Sequence, residues 1–586
     1  MFRRAALVLT MVGVTVAGAV PAAAHKGDPL GFGTGRFDQP KQGFAAPWTQ
    51  LRDGRPEQVG LDRAPIDAAL RQIDEWTRTN PTSPPVGKPL MSGVVTLLAH
   101  DGVVVSRSAS GYAVRYSDGA GTELPADQRV PMRDDTIFDM ASISKLFTSI
   151  AVMQLAEQGK VDVDAPVSRY LPEFGVNGKA GITVKQLLIH TSGLVAFIPL
   201  WNMYPDKAAR IKGVLDIAPK YTPGTTYEYS DLNLITLGVM IERLTGSTLD
   251  NVVRKGITEP LGMADTGYNP PASTLDRIAA TEYQAAPARG IVRGQVHDEN
   301  AWSLGGVSGH AGIFSTARDM SVLAQSLVNG GIYAHRRILR QDTVRTMLTD
   351  YTTNFPGNAH GLGFELDRRF YMGGLSGPAT AGHTGYTGTT LVLDLQSRSI
   401  AILLSNRVHV SRSWGSINPA RETLATGLAK ALAVRPRHGR DAWYTGIGNN
   451  STATLSTREL RTRGTAIRVT FDTFVDTEIS DHLVLESSSD GQSWQAVALT
   501  ARGRDAPPGP SSHLSGAGHR TWWNVRAEVP TVDKIFLRWR FSTDRTLTGR
   551  GVSVDNIKIT EGSRVLLDGE KQPTALDSHG WDRRIR

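Results

Sequence analysis

The stretch Phe138-Asp139-Met140-Ala141-Ser142-Ile143-Ser144-Lys145-Leu146-Phe147-Thr148 decides how the rest of the chain is read. A serine and a lysine stand three residues apart. Leu146, Ile150 and Met153 then recur at helical spacing until Gly159 and Lys160 supply a C-terminal stop. On a helix, residues i and i+3 share a face with their Cβ atoms about 5–6 Å apart. The Lys145 amine is therefore expected beside the Ser142 hydroxyl. Serine is a poor nucleophile near neutral pH without a neighbouring base. Lysine is such a base only when its pKa falls, through burial or the positive end of a helix.

Working outward, 586 residues exceed one ordinary core, so two or three domains are expected. Arg3 and Arg4, an apolar run from Ala5 to Val20 and then Ala22-Ala23-Ala24 have the pattern of a secretory signal peptide cleaved after Ala24. No later stretch is apolar enough to span a bilayer, so the chain reads as exported, secreted or cell-wall associated. The formal charge is +8; without Arg3 and Arg4, 62 basic residues stand against 56 acidic ones, and no long basic run points to nucleic acid. The absence of cysteine excludes a thiol nucleophile, disulfides and thiolate metal sites.

Residues 25–60 read as an extended leader over the surface. From Asp62 a helix is expected, with Pro65 in its first turn and Ile66, Leu70, Ile73 and Trp76 along one face. Val94 to Ala99, the Asp101-Gly102 turn and Val103 to Ser106 make a hairpin. His190, after a helix start at Thr183, reads as structural. Tyr227 and Tyr229 precede a helix over 232–244, and either phenol is placed to shuttle a proton. His297, Asp298 and Glu299 are adjacent and read as a polar cleft wall rather than metal ligands. His383-Thr384-Gly385-Tyr386 leads into a second hairpin, whose glycines would let a substrate approach closely, and a helix over 419–433 closes the region.

Three elements thus follow in order: Ser142-x-x-Lys145, Tyr229-Ser230-Asp231 and His383-Thr384-Gly385. This order resembles the serine β-lactamase and penicillin-binding protein superfamily, especially the branch of class C β-lactamases, D-Ala-D-Ala carboxypeptidases and related esterases. The resemblance covers roughly residues 55–435. It implies an α+β fold, an antiparallel sheet flanked by helices with an all-helical subdomain, over a hydrolase domain at 61–435. It also implies a serine hydrolase with no cofactor and no metal, in which Ser142 is acylated and Lys145 and Tyr229 move the proton. The backbone N–H groups of Ser142 and Tyr386 would form the oxyanion hole, and Asp231, His383, Thr384 and Gly385 would bind substrate. Two departures stand out. Asp231 replaces the usual Asn, where an anion would repel a substrate carboxylate or tie up Lys145. His383 replaces Lys and removes a permanent cation. Both favour an esterase, amidase or peptidase over an efficient β-lactamase. The stretch 297–316 resembles a subgroup of muropeptide amidases, so a peptidoglycan fragment or other small molecule is the expected substrate. The competing reading is a catalytically inactive surface protein that binds glycans on a hydrolase fold.

From Asp441 helical periodicity gives way to short alternating runs at 467–471, 483–486, 522–525, 535–541 and 552–559, as in an all-β sandwich over 441–586. The pattern resembles jelly-roll accessory domains of secreted hydrolases, which bind carbohydrate or serve as purely structural appendages. Trp522, Trp523 and Trp539 are candidates to stack on cell-wall sugars, although strand alternation would bury at least some of them. Asp555 is the candidate for a structural calcium.

Overall fold

The computed structural model describes residues 34–82, 87–516, 520–530 and 533–585. The expected signal peptide and the first part of the leader lie outside them. No described helix is long and apolar enough to cross a membrane.

The N-terminal part is organised on one sheet. Its strands run in the order Arg52–Asp53, Val103–Val114, Gly93–His100, Ser399–Ser405, Thr390–Asp394, Thr380–Thr384 and Glu365–Leu366, antiparallel except for the first pair. Strands from the two ends of this part meet at its centre, where Leu97 pairs Ile402. All of Gly93–His100 is buried, because both faces are covered. Val95, Leu97 and Ala99 point into one core, and Val94 and Leu98 into another. That is a strand's two-residue alternation with apolar side chains on both sides.

On one face the helix Ala317–Val328 packs on the central strands, and in the same core lie the helix Ser144–Glu157, buried nearly all round, and beside it the helix Asp231–Thr245. On the other face the helices Arg63–Glu75 and Asn418–Ala431 pack together. Asp62 caps the first of these by accepting the Ala64 N–H at 3.0 Å.

The C-terminal quarter of the chain is two packed antiparallel sheets. The expected strands are present as Ile467–Asp476, His482–Ser488, Trp522–Val529, Lys534–Ser542 and Gly551–Glu561. In Lys534–Ser542 every second side chain, Ile535, Leu537, Trp539 and Phe541, enters the shared core. Trp523 and Trp539 are wholly buried, so the alternation that makes these strands removes both from any sugar-stacking surface. Trp522 packs instead on Phe474 against the N-terminal part. The Asp555 carboxylate accepts the backbone N–H groups of Arg437, His438 and Asn556 and so fixes the connection between the two parts.

That junction is extensive. Arg520 and Asp394, both fully buried, form an ion pair at 2.7 Å across it, and Arg520 also donates to the Leu375 carbonyl. Arg550 donates to the carbonyls of Ala429 and Leu432. Residues 34–60 do not simply lie over the surface. Phe37 is fully buried at the junction, 4.3 Å from the Arg520 guanidinium and edge-on to Phe474. Its backbone N–H donates to Ala433 at 2.8 Å.

Candidate active site

Ser142 sits in a single tight turn, Ala141–Ile143, ahead of the helix Ser144–Glu157. Ala141 has φ +46°, a left-handed conformation that costs a non-glycine residue about 1–3 kcal/mol and persists only when its surroundings enforce it. Asp139 supplies part of that enforcement. Its buried carboxylate accepts the Ala141 N–H at 2.8 Å and the His297 N–H at 2.5 Å, and burial pushes its pKa up. Thr387 and Thr389 donate their hydroxyls to the carbonyls of Asp139 and Met140. The nucleophile turn is thus tied to the 297 loop and to the second hairpin.

Lys145 Nζ lies 2.9 Å from Ser142 Oγ, 2.8 Å from Asp231 Oδ1 and 3.1 Å from the His310 carbonyl, with only 1% of the residue exposed. Burial alone would lower the lysine pKa, but the Asp231 carboxylate and the Tyr229 hydroxyl outweigh it, and the net shift is upward. The sequence expectation that the base needs a lowered pKa is therefore not met at rest: Asp231 holds Lys145 as an ammonium. A neutral Lys145 in the same place would donate to Asp231 and to the His310 carbonyl and offer its lone pair to the Ser142 hydroxyl.

Of the two tyrosines that spacing left open, Tyr229 is the one at the nucleophile. Its ring is 4.9 Å from Lys145 Nζ, and burial raises its pKa. The Tyr227 hydroxyl accepts from Arg368 at 3.2 Å. His190 backs Tyr229, ring to ring at 4.5 Å, and takes the Ser230 N–H on Nδ1 at 3.1 Å. It is the structural residue expected.

Two cavities meet at Ser142, and Tyr229, Tyr386 and Arg412 also line both. The first, about 390 Å³, is walled by His383, Thr384, Gly385, Glu365, Arg407 and Arg421. Arg407 and Arg421 are buried and donate to carbonyl and amide oxygens. Arg421 grips Gly385 O at 2.8 Å and Thr389 O at 3.2 Å, fixing the turn that presents Tyr386. Burial lowers its pKa to about 10. A Cβ on Gly385 would stand 2.4 Å from the Met140 carbonyl, so this glycine serves the protein's own backbone rather than the approach of a substrate. His383 Nδ1 donates to the Thr384 carbonyl at 2.7 Å, which leaves Nε2 as a lone-pair acceptor. Burial drops its pKa to about 3.

The second cavity, about 290 Å³, is walled by Phe197, Asp231, His297, Asp298, Glu299 and His310. Asp298 caps the short helix Glu299–Ser303 and accepts from His310 Nε2 at 2.9 Å. The His297 ring turns to Glu282 at 2.9 Å, and Glu299 pairs with Arg412. The polar wall read from 297–299 is present, and its three side chains diverge. Asp231, Asp298 and His310 each place one ligand atom within 4.8 Å of the others, but the Lys145 ammonium already lies against that group. Sequence reading missed Asp139, His310 and Arg421, and singled out Asp298 only as part of the wall.

The β-lactamase family matches residues 69–425, more than half of the chain, and the chain belongs to that family. A protein of Salmonella paratyphi B named "Putative D-alanyl-D-alanine carboxypeptidase" is 33% identical over 426 residues, 66% of this chain and 93% of that protein. One of the same name from Salmonella typhi gives the same figures. Among solved structures, a penicillin-binding protein homolog from Caulobacter crescentus aligns with a TM-score of 0.49 at 20% identity, covering 64% of this chain and 99% of that one. A family VIII carboxylesterase aligns with a TM-score of 0.46 at 21% identity, covering 67% and 98%.

Proposed function

We propose that this member of the β-lactamase family is an exported serine hydrolase that forms an acyl-enzyme at Ser142 on a cell-wall-derived amide, peptide or ester. Muropeptides and D-amino-acid peptides rank ahead of β-lactams as substrates. The observation that carries this reading is the buried Lys145 amine 2.9 Å from the Ser142 hydroxyl, with Tyr229 against both. The name of the Salmonella relatives fits a D-amino-acid peptide.

Once Lys145 is in its neutral form, Ser142 Oγ adds to the substrate carbonyl carbon while its proton passes to the Lys145 Nζ lone pair. The C–N or C–O bond then breaks, and Lys145 and Tyr229 deliver that proton to the departing nitrogen or oxygen. Water repeats the sequence: its hydroxyl ends on the acyl carbon and its other proton returns to Ser142. The backbone N–H groups of Ser142 and Tyr386 hold the oxyanion. Thr384 and the arginine-walled cavity take the carboxylate of the leaving portion. His383 stands in the same wall with its ring buried and backs Thr384.

The test is labelling followed by product analysis. A fluorophosphonate should place one adduct on Ser142, and mass spectrometry of digested peptidoglycan fragments should show free D-Ala, free peptide or a released acid. A folded protein that gains no adduct and releases no product overturns the reading.

A further inference from the structure

The Lys145–Asp231 pair leaves a chemical question open. A lysine held as an ammonium does not take a proton from serine, so the resting site is one proton away from activity. Lys145 faces Asp231, the Tyr229 hydroxyl, the His310 carbonyl and the rings of His190 and His383, both held neutral by burial. Among these, Asp231 is the group whose charge holds the ammonium in place. It is also the one with an open side: its side chain is 20% exposed, against 1% for Lys145, and it lines the second cavity together with Ser142.

That cavity is short of positive charge. Among the described residues that line it, Asp231, Asp298 and Glu299 are acidic, Arg412 is the guanidinium, and the imidazoles of His297 and His310 are turned to Glu282 and Asp298. Arg412 is divided between Glu299 and the buried Glu282 behind it. Asp298 leans on His310, and an oxygen of each of the two aspartates lies within 4.8 Å of the other. Like charges at that separation in a half-closed cleft repel and favour a further cation. A metal ion would have to sit beside the Lys145 ammonium, whereas a substrate ammonium can enter from the cavity and take over the exposed side of Asp231.

We propose that this cavity is the subsite for a primary ammonium group on the acyl arm of the substrate, and that this group takes over Asp231 and so releases Lys145 to act as the base. This inference rests on the acyl-enzyme reading above. Asp231 exchanges one ammonium partner for another, and Lys145 loses one proton to solvent and keeps the lone pair that faces Ser142. Substrates without the amine then bind a site whose base remains protonated. The substitution of Asp for the family's Asn thereby becomes a device that selects amine-bearing substrates.

Two esters of equal length provide the test: p-nitrophenyl 6-aminohexanoate and p-nitrophenyl hexanoate, assayed from pH 6 to 10 against the uncatalysed rate. The wild type should favour the amino ester at least tenfold in kcat/KM. Asp231→Asn should erase most of that preference and shift the rising limb for the neutral ester to lower pH. Equal rates on both esters, or a preference unchanged in Asp231→Asn, overturn the proposal while leaving the acyl-enzyme intact. A binding measurement stands apart from turnover. On Ser142→Ala, 6-aminohexanamide should bind at least tenfold tighter than hexanamide, and calorimetry in two buffers of different ionisation enthalpy should register release of about one proton. Binding without proton release, or no difference between the amides, sinks the subsite even if neither ester is turned over. Absence of both turnover and a fluorophosphonate adduct counts against the hydrolase reading alone.

Discussion

The core behind Ser142 and the core of the C-terminal sheets are built on opposite rules. Between the C-terminal sheets, Phe471, Trp523, Leu537 and Trp539 interlock by strict alternation. Behind Ser142, Lys145, Thr148, Ser149, His190, His360 and His383 are all buried, and Ser149 Oγ, His360 Nε2 and His383 Nε2 have no hydrogen-bond partner among the described residues. Each such group costs stability that an apolar side chain would not. The contrast teaches where this molecule is optimised for standing up and where it is optimised for holding protons in defined places.

The largest effect that would sharpen the contrast is on turnover. Ser142→Ala should lose about 10⁴-fold or more in kcat while the melting temperature stays unchanged or rises. A melting temperature lowered by several degrees would mean that the serine is part of the packing, and the contrast would break. Next comes Trp539→Ala in the C-terminal core, expected to cost about 3–5 kcal/mol in chemical denaturation. Arg520→Ala should cost a similar 3–5 kcal/mol, because it strands a buried Asp394.

Acid separates the two parts by a different route. Burial lowers the pKa of His360 to about 4 and of His383 to about 3. Their folded values lie below the ordinary 6.5, so the unfolded chain binds more protons in that window. Stability is complete above about pH 6.5 and falls below it, by about 1.4 kcal/mol per pH unit for each histidine until its folded pKa is reached. Melting followed from pH 7 to 4 should weaken the catalytic part first. His360→Asn should flatten the dependence. A pH-independent melting curve would remove the argument. The smallest effect is Asp231→Asn, which removes the charge paired with the buried Lys145 ammonium. Because Lys145 can shed its proton in response, the expected cost is about 1–3 kcal/mol, visible as a melting temperature lowered by a few degrees.

Much of the fold was legible in the sequence where local chemistry decides it. The Asp101-Gly102 turn, the Asp62 cap and the alternation of 535–541 each act within a few residues, and the structure places them as the sequence suggests. The Ser142–Lys145 pair was legible for the same reason. The rest of the site was not, because its contacts join distant segments. The His310 carbonyl reaches Lys145 across 165 residues, and Asp139 reaches the His297 N–H across 158. Arg421 sits on a helix that reads only as a closing element. Spacing did not separate Tyr227 from Tyr229, since both flank the same helix entry and only the packing of Lys145 distinguishes them. The tryptophans were ambiguous because an aromatic on a strand serves a core or a surface equally well until its face is known.

Phe37 has a consequence for the order of assembly. It leaves the ribosome long before its partners: its backbone needs Ala433, and its ring needs Phe474 and the guanidiniums of Arg520 and Arg550. Those groups are in place only once nearly the whole chain has been translated and both parts have docked. The segment around residue 37 is therefore a late latch, shut by the last-made part of the protein over the first.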